Sequence, residues 1–211
     1  MLKKSFLLCC VAVLLTAFCL SSVNVTLAEK RAEEFDTVKT VTDSNDKLAI
    51  AVSAIYRRAG DLVISLPYAS INLSQTALMK VYSGEMNDAV LYLNSHAETE
   101  LKNAYDTMDD ILSDFDKVLK QYSVPSASSY RTKRAELATL FSGLESSAAE
   151  LIRRTRNLIT GTNSGYDSYY TAYCEQLQKL SDKLIAASEK IDKEYDAIMT
   201  SLLGSDYSLV S

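Results

Sequence analysis

Tryptophan is absent, proline occurs twice and histidine once, and only one cysteine lies beyond position 19. Each shortage closes off a chemistry. With Cys9, Cys10 and Cys19 near the start and Cys174 alone in the rest, the body of the chain has no internal disulfide to staple it. Cys174 reads as small filler beside a helix seam, with a reactive thiol or a dimer bridge as the alternatives. One histidine, His96, cannot supply the two Glu-x-x-His pairs of a di-iron bundle, and no Cys-x-x-Cys-His marks a covalent haem. No glycine-rich phosphate loop occurs, and a Ser-His-Asp triad would have to be assembled around His96 on a long helix. Asp106, Asp109, Asp110, Asp114 and Asp116 crowd the run "YDTMDDILSDFD", but no loop folds them round a calcium ion. They read as a solvated helix face. No catalytic residue, cofactor or metal is expected, and the chain is not expected to be an enzyme.

Positive charge is also in deficit, with 22 lysines and arginines against 27 acids. Removal of residues 1–28 takes Lys3 and Lys4 and no acid, moving the net charge from −5 to about −7. Such a balance argues against nucleic acid and against anionic lipid surfaces as partners.

Long apolar runs are missing from the body, where the longest nearly apolar stretch is "LAIAVSAIY", too short to span a bilayer. The one long run is at the start. Lys3 and Lys4 precede apolar chain from Phe6 to Leu20, and a more polar stretch leads to Ala28, the three-part layout of a secretory signal. As a helix that run covers roughly 22 Å against about 30 Å of hydrocarbon, which favours cleavage after Ala28. A retained anchor over residues 6–28 and a lipidated Cys19 are the alternatives, although Phe18 is bulky for a lipoprotein signal. In each case the body is exported: extracytoplasmic, whether secreted, periplasmic or held at the cell envelope.

What remains is rich in helical periodicity. Leu48, Val52, Ile55, Ala59, Leu62 and Leu66 step by three and four from an entry at Val38 and Val41, with Asn45 in register. Pro67 is expected to end that helix, leaving residues 68–83 as a connector with one short helix around Leu78 and Val81. A second seam runs from Met86 and Val90 through Leu101 and Ile111 to Val118 and Tyr122, where "SVPSASS" stops it. The third runs from Leu137 to Leu158. The fourth opens at a Ser164/Asp167 capping box and runs from Tyr166 through Leu180 to Leu202, with Gly204 as its left-handed end. The chain is expected to be all-α: an elongated, antiparallel, up-down-up-down four-helix bundle over residues 29–204, with a C-terminal tail over 205–211.

Two arginine clusters stand out in this acidic chain: Arg57 and Arg58, then Arg153, Arg154 and Arg156. Folding the helices back at the assigned loops brings both clusters, His96 and Tyr169, Tyr170 and Tyr173 to one end. Guanidinium forks beside phenols suit a carboxylate or phosphate ligand. The competing reading is ordinary surface pairing with Glu98, Glu100 and Glu175, helped by the favourable placement of cations near a helix carboxyl end.

The stretch "VSAIYRRAGDLVISL", Val52 to Leu66, resembles the signature of the LemA family, in which paired arginines precede Asp-Leu-Ile-Pro-Asn-Leu-Val. Arg57, Arg58, Asp61, Leu62, Val63 and Leu66 carry the resemblance. Gly60 adds a residue between the arginines and the aspartate, Ile64 and Ser65 replace Pro-Asn, and the later Tyr-Pro-Asp and Phe-Pro features are missing. Membership would imply a membrane-anchored, mostly helical protein. The function these features support is an envelope scaffold or partner-binding module. A sensory bundle for a small anion and a secreted membrane-active effector are the alternatives.

Overall fold

The structure, a computed structural model, describes residues 43–122, 124–161 and 166–204, all within one compact unit, Val41–Ser211. The signal or anchor over 1–28, the seam entry at Val38 and Val41, the Ser164 half of the capping box and the tail 205–211 lie outside the described residues. Every described element is helical, and no strand occurs among the described residues. The elements are α1 Ser44–Pro67, a π-helical turn Tyr68–Asn72, α2 Leu73–Tyr82, α3 Met86–Gln121, α4 Ala127–Thr160 and α5 Tyr166–Leu203.

α1 starts where the Asp43 carboxylate accepts from the Asn45 amide at 2.8 Å, satisfying one of the orphan donors of a helix start. The stripe from Leu48 to Leu66 is buried throughout, as its spacing predicts. The four long helices α1, α3, α4 and α5 pack together as a ring, α1 against α3 and α5, and α4 against α3 and α5. Their stripes close on one another, with Phe115, Phe141, Leu144, Leu180, Leu184 and Ile191 among the most deeply buried side chains. At 36 residues, α3 is about 54 Å long, so the core is a long seam of thin cross-section.

Pro67 does not end the first rod. Its φ of −55° is already helical, and the chain continues through the π-turn into α2. Two serine hydroxyls add bonds to carbonyls around the proline: Ser65 reaches Leu62 O at 2.8 Å, and Ser70 reaches Leu66 O at 2.7 Å. Ser70 is fully buried beside Leu66, Ala69 and Ile71, so packing holds a turn that local preference disfavours. The turn also re-aims the rod. α2 leaves α5 and lies against α3 and α4, where Ser74 and Thr155 join hydroxyl to hydroxyl in the interior.

The break between α2 and α3 comes at residues 83–85. Gly84 sits at φ +85°, its amide donating to Val81 O and the Glu85 amide to Lys80 O, each at about 3 Å, the double bond of a glycine-ended helix. Gly204 ends α5 with φ +75°, as its position in the sequence predicts.

The seams drift at their tips. On α3 the expected Met86 is 53% exposed and Val90 half-buried, while Ala89 takes the inward place; at the other end Leu119 is buried in preference to Val118. Each turn of 3.6 residues departs slightly from the 3.5 average of the stripe, and the error accumulates away from the middle.

Tyr56 packs edge-on against Phe115 with ring centroids 6.1 Å apart. Burial, with Glu136 nearby, pushes its phenol well above the ordinary value. A raised folded value means stability held below pH ~10 and lost as pH climbs beyond it, because the unfolded phenol ionises first. Tyr56→Phe should therefore flatten the alkaline limb of a pH–stability curve while changing the neutral plateau little. An unchanged limb would assign alkaline unfolding to other groups. Phe115→Ala should cost about 3–5 kcal/mol in urea unfolding, and Met86→Ala less than about 0.5 kcal/mol.

Candidate functional site

Arg153, Arg154 and Arg156 lie near the carboxyl end of α4, and each donates to a nearby acceptor. Glu150, one turn earlier, takes both forks of Arg153 at 2.6 Å and Arg154 Nε at 2.6 Å. Arg156 Nε donates to Asn94 Oδ1 of α3 at 3.2 Å. The neutralising acid is thus the cluster's own helix neighbour, at the i−3 and i−4 positions, and not Glu98, Glu100 or Glu175. The guanidinium of Arg153, and then that of Arg154, hold the Glu150 carboxyl down at about 2.

The level expected for this cluster is met: Arg156 faces Asn94, two residues from His96. Convergence is not. Residues 94 and 96 are about 200° apart round a helix, so His96 looks away from Arg156. Its ring stacks on Tyr92 at 4.3 Å, and Lys80 of α2 sits 5.8 Å over the Tyr92 ring. Tyr169 is on the surface, where a Cβ added at Gly161 would collide with its ring; Tyr170 is half-buried and Tyr173 buried.

Arg57 and Arg58 are elsewhere. Arg58 Nη1 pairs with Asp114 at 2.6 Å, and Asp114 also accepts from Lys117 at 2.8 Å; Lys117, and then Arg58, hold that carboxyl below the usual range. Asp114 lies twenty residues beyond Asn94, about 30 Å along α3. The expectation of a single arginine end fails for a physical reason. The fold-back was centred on a connector over 68–83, but the rod continues to Tyr82 and turns at Gly84.

A groove that sequence reasoning missed runs between α1 and α3. It encloses about 480 Å³ and is open to solvent, lined by Arg58, Asp61, Ser65 and Tyr68 on one wall and Glu100, Asn103 and Thr107 on the other. Leu62, Ala69, Ala104 and Ile111 make its floor. Small residues at 65, 69 and 104 keep the helices from filling the space between them. The signal for it was Gly84, which fixes the register of α1 against α3. A smaller groove of about 390 Å³ between α4 and α5 has Lys183 across it, donating to Gly143 O at 2.9 Å.

Among the described residues no group of three or more His, Cys, Asp or Glu side chains could hold a metal ion. No protein-family model matches the chain, and neither a curated protein nor a solved structure matches it.

Glu150 allows a direct check of the arginine end. Its folded value lies below the unfolded one, so the pairing stabilises above pH ~4.3 and is lost as pH falls toward 2. At the surface, screening limits it to about 0.5–1 kcal/mol. Glu150→Gln should cost that amount in urea unfolding at pH 7 and nothing near pH 2. An equal cost at both would mean that the carboxylate charge is irrelevant.

Proposed function

We propose that this chain is an exported, non-enzymatic helical bundle acting through its surface, as an envelope scaffold or partner-binding module. The observation that supports this reading is the engagement of the arginine cluster: Arg153 and Arg154 donate to Glu150 and Arg156 to Asn94, so part of its charge is met within the bundle. The rest of the charge is spread over helix faces, which suits contact with another macromolecule better than enclosure of a small one.

The helices are proposed to alternate up and down. Arg134 pairs with Asp116, Tyr105 donates to Glu145 O, and Arg156 donates to Asn94. As the α3 member falls from 116 to 105 to 94, the α4 member rises from 134 to 145 to 156. Between α4 and α5, Glu136 with Lys190 and Gly143 with Lys183 run in the same opposed sense.

Export rests on Lys3, Lys4 and the apolar run Phe6–Leu20, ended by release after Ala28 or by retention as an anchor. The LemA-like stretch Val52–Leu66 supports retention. Among the described residues no helix is long and apolar enough to cross a membrane, so attachment would run through residues 6–28.

Mass spectrometry of the protein recovered from its host cell should give an envelope or secreted location, with the chain starting at Glu29 or with the segment intact at a membrane. A cytosolic chain with that segment intact and no membrane association would overturn the proposal. A sensory bundle for a small anion predicts instead a melting shift with phosphate that Arg153→Gln abolishes. A membrane-active effector predicts leakage from liposomes. Neither effect is expected.

A further inference from the structure

We propose that the outward face of α2 is a self-association surface, on which a second copy of this chain docks antiparallel about a two-fold axis at Gln75. The inference names one partner for the partner-binding reading and rests on that reading. Tyr68, Asn72, Gln75, Met79 and Tyr82 step by four and three along the π-turn and α2, the spacing of a helix–helix seam. The bundle's own packing uses the other side of α2, where Leu73, Ser74, Ala77 and Leu78 are buried. Tyr68, Met79 and Tyr82 are 63%, 52% and 61% exposed, while Asn72 and Gln75 are half-buried. The apolar side chains of this seam stand at the surface, so docking removes area that water now covers.

Charge argues for a copy of the same chain. With a net charge of −5, like copies repel wherever acids line the contact. Residues 62–84 carry no acid and a single cation, Lys80. That lysine is turned toward α3, pairing with Glu85 at 3.4 Å and sitting 5.8 Å over the Tyr92 ring. The pattern argues the same way, because a two-fold contact must match itself. In an antiparallel pair centred on residue 75, Tyr68 of one copy meets Tyr82 of the other, Asn72 lies beside Met79, and Gln75 faces Gln75. The Gln75 amide both donates and accepts, so two of them bond across the axis and fix the register. Such a polar centre suits a lipid surface poorly. The seam is about 21 Å long, a small contact beside the roughly 1,600 Å² of a standard interface, so pairing rises with concentration and is not permanent.

The test is sedimentation equilibrium over a wide concentration range, on the chain recovered from its host and in mild detergent if residues 6–28 are retained. The unmodified chain should pass from monomer to dimer. Gln75→Glu with Met79→Glu puts like charges at the axis and should weaken the dimer at least about tenfold. Gln75→Lys with Met79→Lys should be as weak alone, and mixing the acidic and basic variants should restore pairing, which misfolding would not allow. Leu91→Glu, at a residue of α3 that is 66% exposed and outside the seam, should change association less than about twofold. Circular-dichroism melts report whether each variant folds.

A chain that stays monomeric throughout overturns the proposal and leaves a module that engages a different partner. A dimer that the 75/79 charges leave intact, or that Leu91→Glu weakens equally, overturns it as well, since the contact then lies elsewhere. Binding of a monomeric chain to phosphatidylcholine vesicles, lost with Met79→Glu, would make the face a lipid-contact surface and also overturn the pairing. Failure of the partner-binding reading itself is read separately, from where the chain resides.

Discussion

The fold hangs first on apolar stripes that must meet along about 50 Å. The one described cysteine, Cys174, is not in a disulfide, and the buried set is dominated by leucine, isoleucine, alanine and a few aromatics. A thin, long core buries less apolar area per residue than a round one. Each deep side chain therefore carries more of the load, and each error of register is repeated along the rods. Phe115, Leu184 and Ile191 are fully buried or nearly so because no turn of the seam has a second layer behind it.

Stripes alone do not say which helix sits beside which, and here charge does. α4 carries six lysines and arginines against three glutamates, while α3 has eight acids against three lysines and α5 seven acids against four lysines. The basic helix lies between the two acidic ones. Arg134 forks onto Asp116 at 3.0 and 2.9 Å on one side, and on the other Lys133 meets Glu194 and Lys190 meets Glu136 at 3.0 Å. Individually such surface pairs are worth little, but swapping the neighbours would put like charges face to face. The α3–α4 contacts at 134, 145 and 156 recur every eleven residues. Eleven residues are three turns with only about 20° of drift, so the contacts run in one line along the edge of the seam.

The all-helical fold was legible because period and composition agree. Leu48 to Leu66, Leu137 to Leu158 and Tyr173 to Ile198 are buried where a step of three and four places them. The tips were not legible, because Met86 and Val90 compete with Ala89 for the inward position and only neighbours decide it. Pro67 misled for a related reason. Its missing amide is a local fact, whereas the burial of Leu66, Ala69, Ser70 and Ile71 that holds the turn comes from packing. Of the candidate site, the level of Arg156 opposite the nineties of α3 was readable, but its partner was not. Glu150 outcompetes acids on other helices because an i−3 or i−4 carboxylate needs no interhelical fit.

One misplaced turn links the fold to the site. Centring the fold-back on residues 68–83 moves α1 by about twenty residues along α3, which carries Arg58 to the wrong end and erases the groove. Setting it at Gly84 brings Tyr56 against Phe115 and Arg58 against Asp114, and the small residues at 65, 69 and 104 then share one lining. The π-turn completes the effect, since α2 swings toward α4 through Ser74 and Thr155, just above the groove. A proline that a straight rod would exclude and a glycine that a helix would avoid thus act together. The first lets the rod bend without ending and the second ends it in a left-handed turn, and the space left between α1 and α3 is the geometric remainder of both.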